Sequence, residues 1–437
     1  METYQAQGFL PSFIAIAQDF RIKVPEGYSD EEADATLNRL ATAWSSDKKV
    51  GGSSHQRRAA REQFDSSRPS VVVIQNETFS DLSDMNGLNA GYGGPQYFKN
   101  GINDALVRGD LYVEAFGGGT CNTEFSFLTG NSLAYVGAGK YPYTVYNFDQ
   151  VQALPRQFRE LGYRTSAIHP SKPTNWERDR VYPSMGFDDF YSQENDFLGA
   201  EVFHSGVSDE ATYDKVMELL ESSDEPQFVW DVTMQNHSGY DLGNIPQEDQ
   251  VNVEPQGVGN AKANAQLNEY LSCIQKSDEQ LQAFMDRLRQ LSRPVVLVFY
   301  GDHQPSITPT YIDGIYPLDE PLVHTQRQYH TQYFVWANYD VSGNAQESDR
   351  QDTSVGYLAA TTLELAGCEL TPYQMAQLDC KESMPAINLF GYQDTAGTWH
   401  RLGEKSDPES DDASQAAFQA YQDLGVIQYR EFAEKVQ

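Results

Sequence analysis

Five short stretches hold the residues best equipped for chemistry: Gln75-Asn-Glu77, Phe116-Gly-Gly-Gly-Thr-Cys-Asn-Thr-Glu-Phe125, His169 to Asp179, Asn236-His237 and Gly301-Asp-His-Gln304. Asp302 and His303 are adjacent and can offer a hard carboxylate oxygen and an imidazole nitrogen to one divalent ion. Glu77 adds a second carboxylate. Three glycines before Thr120 permit close backbone approach, and the residues after it can start a helix whose amides face an anion. A threonine hydroxyl is a weak nucleophile until a base or a metal lowers its pKa; beside a cation it can attack phosphorus. In the third stretch Arg178 can fork onto phosphate oxygens, Lys172 is a further cation, and Trp176 can wall a small polyol. Each stretch alone also admits a plain structural role. Asp302 can open a turn that leaves His303 exposed, Glu77 can be a first-turn acid, Thr120 a helix cap, Arg178 a surface ion-pair partner and Trp176 packing.

Placement is what sets these residues apart. Val71-Val-Val-Ile74 leads into Glu77, Thr165-Ser-Ala-Ile168 into His169, a run from Phe228 to Met234 into Asn236 and His237, and Val295-Val-Leu-Val-Phe-Tyr300 into Asp302 and His303. Such short β-branched and aromatic runs suit strands buried on both faces of a parallel sheet. Further runs at 111–113 and 333–336 alternate with helical stretches at 153–161, 209–220 and 263–291. The alternation predicts an α/β fold with a doubly wound, mostly parallel sheet flanked by helices. Four strands then deliver candidate residues to the carboxyl edge, where open α/β sheets bind ligands. Residues 1–65 read as a lead-in segment, 66–345 as the catalytic α/β core, and 346–437 as a smaller C-terminal α+β subdomain.

Charge narrows the partners. The 437 residues carry 31 Lys and Arg against 63 Asp and Glu, a net charge of −32. That balance argues against nucleic acid as a partner and against polybasic docking on an anionic membrane. Phosphate must therefore be met through a local cation, most simply a metal. No stretch approaches the roughly 20 apolar residues that span a bilayer; the apolar piece at 9–17 is short and broken by Pro11. The four cysteines form no CxxC pair. Cys368 and Cys380 are near enough for a small disulfide loop that nothing in the sequence requires.

The assembled pattern resembles the extracellular catalytic domain of lipoteichoic acid synthases and related phosphoglycerol transferases, within the alkaline phosphatase/sulfatase superfamily. The residues that carry the resemblance are Val73-Ile-Gln-Asn-Glu-Thr-Phe79, Gly119-Thr-Cys-Asn-Thr-Glu-Phe125, His169 with Trp176 and Arg178, Asn236-His237, and Tyr300-Gly-Asp-His303. It implies a sulfatase-like fold in which Thr120 is the nucleophile and Glu77, Thr120, Asp302 and His303 hold one divalent cation, Mn²⁺ first and Mg²⁺ second. His169, Trp176, Arg178 and His237 would line a glycerol-phosphate pocket, with either His237 or His169 also a catalytic acid/base candidate. The implied donor is a phosphatidylglycerol-like lipid and the acceptor a teichoic acid or wall polysaccharide. The implied setting is the extracellular face of a Gram-positive-type cell envelope, with membrane tethering through segments outside this chain. Sulfatases proper carry Cys or Ser followed by x-Pro-x-Arg; after Thr120 this chain has Cys-Asn-Thr-Glu instead. Transfer to water, or binding of lipid headgroups or wall polymers without chemistry, are the competing readings.

Overall fold

The computed structural model describes residues 20–46, 54–85, 88, 92–255, 257–404 and 411–436. The apolar stretch 9–17 and part of the acidic loop 404–414 lie outside the described residues.

In chain order the strands are β1 (Ser70–Asn76), β2 (Val107–Tyr112), β3 (Arg164–His169), β4 (Asp189–Ser192), β5 (Val202–Phe203), β6 (Gly206–Val207), β7 (Gln227–Val232), β8 (Val295–Gly301), β9 (His330–Ala337), β10 (Thr353–Ser354), β11 (Ala386–Asn388), β12 (Gly391–Gln393) and β13 (Trp399–Arg401). Eight of them form the central sheet in the order β10-β2-β9-β8-β1-β7-β3-β4. All its pairings are parallel except those of β9 with β2 and β8, so β9 alone runs against the rest. β5 and β6 form a small hairpin.

β1 shows why the sheet is covered on both sides. Successive side chains point to opposite faces of a strand. Val71 and Val73 enter one core with Phe125, Phe127 and Leu128, while Val72 and Ile74 enter the other with Leu267, Leu271 and Phe284. The Thr120–Thr129 and Val355–Ala366 helices lie on the first face; the Asp209–Ser222 and Ala261–Gln290 helices lie on the second. The last of these is capped by Asn260, whose side chain accepts from the amides of Lys262 and Ala263. It buries Leu267, Leu271, Ile274, Leu281, Phe284 and Leu288 at helical spacing. The doubly wound fold expected from the sequence is the one observed.

Register then sets the strand ends side by side. Asn76 pairs with Gly301, Gln75 with Val232, and Ile168 with Asp231. Glu77, Asp302, His169 and the loop after β7 thus leave from one edge of the sheet.

Beyond residue 346, β10 pairs with β2 and extends the central sheet, and β11, β12 and β13 form a separate antiparallel sheet. The Pro372–Ser383 and Asp412–Gln428 helices pack with the Asp30–Ser45 helix around Leu40, Ala376, Leu424 and Ile427. All four cysteines are buried, and none is bridged in a disulfide. No helix among the described residues is long and apolar enough to cross a membrane.

Candidate active site

Glu77, Asp302 and His303 form the one cluster of potential metal ligands among the described residues, with donor atoms within 4.8 Å of one another. All three are buried. His303 Nδ1 lies 3.0 Å from the Gln304 carbonyl, which accepts its proton and leaves Nε2 as the lone-pair nitrogen. That Nε2 lies 3.3 Å from Asp302 Oδ2 and 3.6 Å from Glu77 Oε1. Neither Asp302 Oδ2 nor His303 Nε2 has a hydrogen-bond partner. Buried polar atoms are seldom left so, and two that face each other fit a cation between them. Burial first, and then the neighbouring Glu77 carboxylate, push Asp302 up to about 7. Burial works against a charge on His303, but Asp302 and Glu77 outweigh it and raise the imidazole pKa. Two carboxylates, one imidazole and a hydroxyl suit a single divalent ion of the Mn²⁺ or Mg²⁺ kind.

The hydroxyl is that of Thr120, whose Oγ1 donates to Glu77 Oε2 at 3.2 Å. The glycines before it explain the position. Gly117, Gly118 and Gly119 all have positive φ (62°, 134° and 87°), a run open only to glycine. The chain turns there and Thr120 becomes the first residue of its helix. Thr123 on the same helix donates to the Asp302 carbonyl at 2.8 Å, which fixes the helix start against Asp302. In the turn after β1, Thr78 closes the other side: its amide donates to Asp302 Oδ1 at 2.7 Å and its hydroxyl to Glu77 Oε1 at 2.6 Å. Thr78 does so at φ 55°, a strained conformation for a β-branched residue. Gly301 is required for a different reason, because an added Cβ would fall 1.7 Å from the Phe79 carbonyl oxygen.

His169 and Arg178 face each other. His169 Nδ1 lies 3.0 Å from the Val232 carbonyl and its Nε2 lies 3.1 Å from an Arg178 NH group. Burial and the adjacent guanidinium hold this histidine well below its ordinary pKa, so it is neutral and accepts from Arg178. Arg178 is 1 % exposed and forms a forked pair with Glu124, whose other oxygen accepts from Tyr182 at 2.7 Å. Trp176 is half-buried and stacks on Tyr141, with ring centres 4.8 Å apart. Trp176 and Glu177 both have positive φ (55° and 57°), so this stack and the start of the Arg178 helix rest on strained backbone. Tyr141 in turn lies near Gly119, placing the aromatic pair beside Thr120. His237 is exposed on the loop after β7. Its neighbour Asn236 is buried, donating to Asn76 and Ser277, and Asp209 accepts from Asn76 and Ser277 beneath the loop.

The fold thus brings Glu77, Thr120, Asp302 and His303 together at one point, places the His169–Arg178 pair at the same sheet edge, and leaves His237 exposed at its rim. Three contributors have no role in the sequence reading, although Glu124 and Thr78 fall inside the motifs that carry the resemblance. Glu124 lies one helical turn beyond Thr120, a spacing that marks a shared face. The role of Thr78 depends on a strained φ and that of Tyr141 on a contact across separate loops, neither of which spacing reveals.

Comparison with known proteins agrees with this fold. Residues 69–368 match the family model described as Sulfatase. The chain belongs to that family. Relatives include a putative cyclic beta-1,2-glucan modification protein of Rhizobium meliloti, 26% identical over 343 residues, covering 77% of this chain and 50% of that protein. The lipoteichoic acid synthase of Staphylococcus saprophyticus is 26% identical over 223 residues, covering 50% of this chain and 31% of the synthase. The chain spans half or less of the length of these relatives. Among solved structures, phosphoglycerol transferase GacH of Streptococcus pyogenes, in complex with sn-glycerol-1-phosphate, superposes with TM-score 0.71 at 21% identity, over 94% of this chain and 95% of that one. The periplasmic domain of EptC from Escherichia coli, in complex with Zn, gives TM-score 0.52 at 15% identity over 79% of this chain and 95% of that one. At these identities the structures establish the shared fold.

Proposed function

We propose that this chain is a metal-dependent phosphoglycerol transferase. It moves glycerol phosphate from a phosphatidylglycerol-like lipid to a hydroxyl of an envelope polymer or glycolipid, at the outer face of a cell membrane. The observation that carries the reading is the convergence of Thr120 Oγ1 with Glu77, Asp302 and His303 at the start of a helix. These four residues would hold one divalent cation, Mn²⁺ before Mg²⁺. Bound there, such an ion would acidify the threonine hydroxyl and neutralise phosphate charge.

The chain's own groups supply the rest. Thr120 Oγ1 forms a bond to phosphorus as the bond to the diacylglycerol oxygen breaks, leaving glycerophosphate esterified to threonine. An acceptor hydroxyl then displaces Thr120 in a second in-line step, restoring the free side chain. The first helix turn directs amides toward the phosphoryl oxygens. Arg178, its charge paired with Glu124, donates to His169 Nε2 and holds that imidazole toward the substrate, and the Trp176–Tyr141 stack walls the glycerol. His237, exposed at the rim, is the candidate to protonate the leaving diacylglycerol alkoxide and take the acceptor's proton. A local cation also reconciles an anionic substrate with a net charge of −32.

Turnover of a phosphatidylglycerol analogue tests the reading. Thr120→Ala is expected to abolish release of diacylglycerol while Mn²⁺ binding persists in part; full activity in that variant overturns the assignment. Release of free glycerophosphate at the same rate with and without a polymer acceptor would instead identify a phosphodiesterase that uses water.

A further inference from the structure

A second cavity, of about 280 Å³, opens on the same sheet edge beside the metal ligands. One wall is Gln304, the residue after His303, and another is Asp81, four residues after Glu77. Tyr112 ends β2 and His330 begins β9, so both lie at the edge that carries Glu77 and Asp302. Trp399, the first residue of β13, closes the outer side and meets Tyr112 edge to face with ring centres 4.8 Å apart. Gln304 is 1 % exposed, donates to the Arg327 and His330 carbonyls, and has a side-chain oxygen with no hydrogen-bond partner.

The chemistry of this lining selects a ligand class. Asp81, Asp84 and Asp110 contribute carboxylates. The cations nearby are already paired: Lys99 with Asp81, Arg350 with Asp110, and Arg327 with Asp319 while lying over Tyr316. An anion such as a second phosphate therefore meets net negative charge without an unpaired cation to receive it. The carboxylates do not make a metal site, since the one group of ligand atoms close enough for that is Glu77, Asp302 and His303 among the described residues. Aromatic edges and faces beside carboxylate acceptors suit a neutral polyol instead. Its C–H faces stack on Trp399 and Tyr112, and its hydroxyls donate to Asp110 and Asp84, whose carboxylates are the more exposed ones in the lining. The volume holds one or two sugar rings and is too small for a lipid tail pair.

We propose that this cleft is the acceptor subsite and that it binds an uncharged sugar unit of a glycan, offering one of its hydroxyls to the Thr120 centre. The proposal rests on the transferase reading and narrows it: the acceptor is a neutral glycan rather than a growing polyglycerol phosphate.

Saturation-transfer NMR on the metal-loaded protein tests it with cyclic β-1,2-glucan, a rhamnan and a mannan as neutral probes and a glycerol phosphate oligomer as the anionic one. At least one neutral glycan is expected to receive saturation in the wild-type protein and in Thr120→Ala, and to lose it in Trp399→Ala. Asp110→Asn, nearly the same size, is expected to weaken the same signal and to raise the KM for that glycan about tenfold, as expected for loss of one charged hydrogen bond. Saturation of no neutral glycan, equal binding in wild type and Trp399→Ala, or displacement of the glycan from the cleft by the glycerol phosphate oligomer would each overturn the proposal. Failure of the transferase reading registers separately, as absent donor turnover in a protein that still binds the glycan.

Discussion

Arg178 has its guanidinium between Glu124 and His169, with both charges of the ion pair out of water. Removing one member of a buried pair strands the other, at a cost of about 3–5 kcal/mol. Arg178→Met is expected to destabilise the chain by about that much in urea unfolding, and the double variant with Glu124→Gln to recover part of the loss. Equal losses in the single and double variants would show that Glu124 is satisfied without the arginine. At this scale Glu77, Asp302 and His303 were legible as candidate ligands because each follows a strand run, and Thr120 because it follows a glycine turn. The sequence did not display what Arg178 binds. An arginine two residues after a tryptophan looks the same whether its partner is a ligand or a buried carboxylate, and only the packing of Glu124 and Tyr182 decides.

The elements were legible where hydrophobic period and length agreed. The run at 263–291 became the Ala261–Gln290 helix, and Val71-Val-Val-Ile74 became a strand covered on both faces. Strand order, and the reversal of β9, were not legible, since Tyr333-Phe-Val-Trp336 has the same apolar character in either direction. The Thr120–Thr129 helix depends on Phe127, which stacks on Trp230 and Tyr300 with ring centres 5.3 Å away in each case. Phe127→Ala leaves a cavity under the helix that carries Thr120, and is expected to cost about 3–5 kcal/mol in thermal or urea unfolding. A loss below about 1 kcal/mol would mean that the helix is held by its ends alone.

Across the whole molecule, the acidic surface coexists with a cation buried away from the site. Lys381 donates to Gln351 and Thr361, and burial lowers its pKa from the usual 10.5 to about 8 against the pull of Glu364. Between pH 8 and 10.5 the unfolded chain keeps a proton that the folded chain has released, so this residue makes stability rise with pH across that window. Lys381→Met is expected to remove that contribution and to gain most over the wild type below pH 8. A difference in Tm that stays constant from neutral pH to 10.5 would place Lys381 as an ordinary charged lysine in the fold. The broader account depends on distant segments meeting at one ion: residue 77, the glycine turn before 120, and residues 302 and 303. Anomalous scattering from crystals soaked in Mn²⁺ tests this most directly. The account predicts one manganese peak per chain, in coordinating reach of Thr120 Oγ1, Glu77, Asp302 and His303, and its loss in Asp302→Ala. Manganese bound elsewhere, or a saturated soak with no peak among these four side chains, would contradict it.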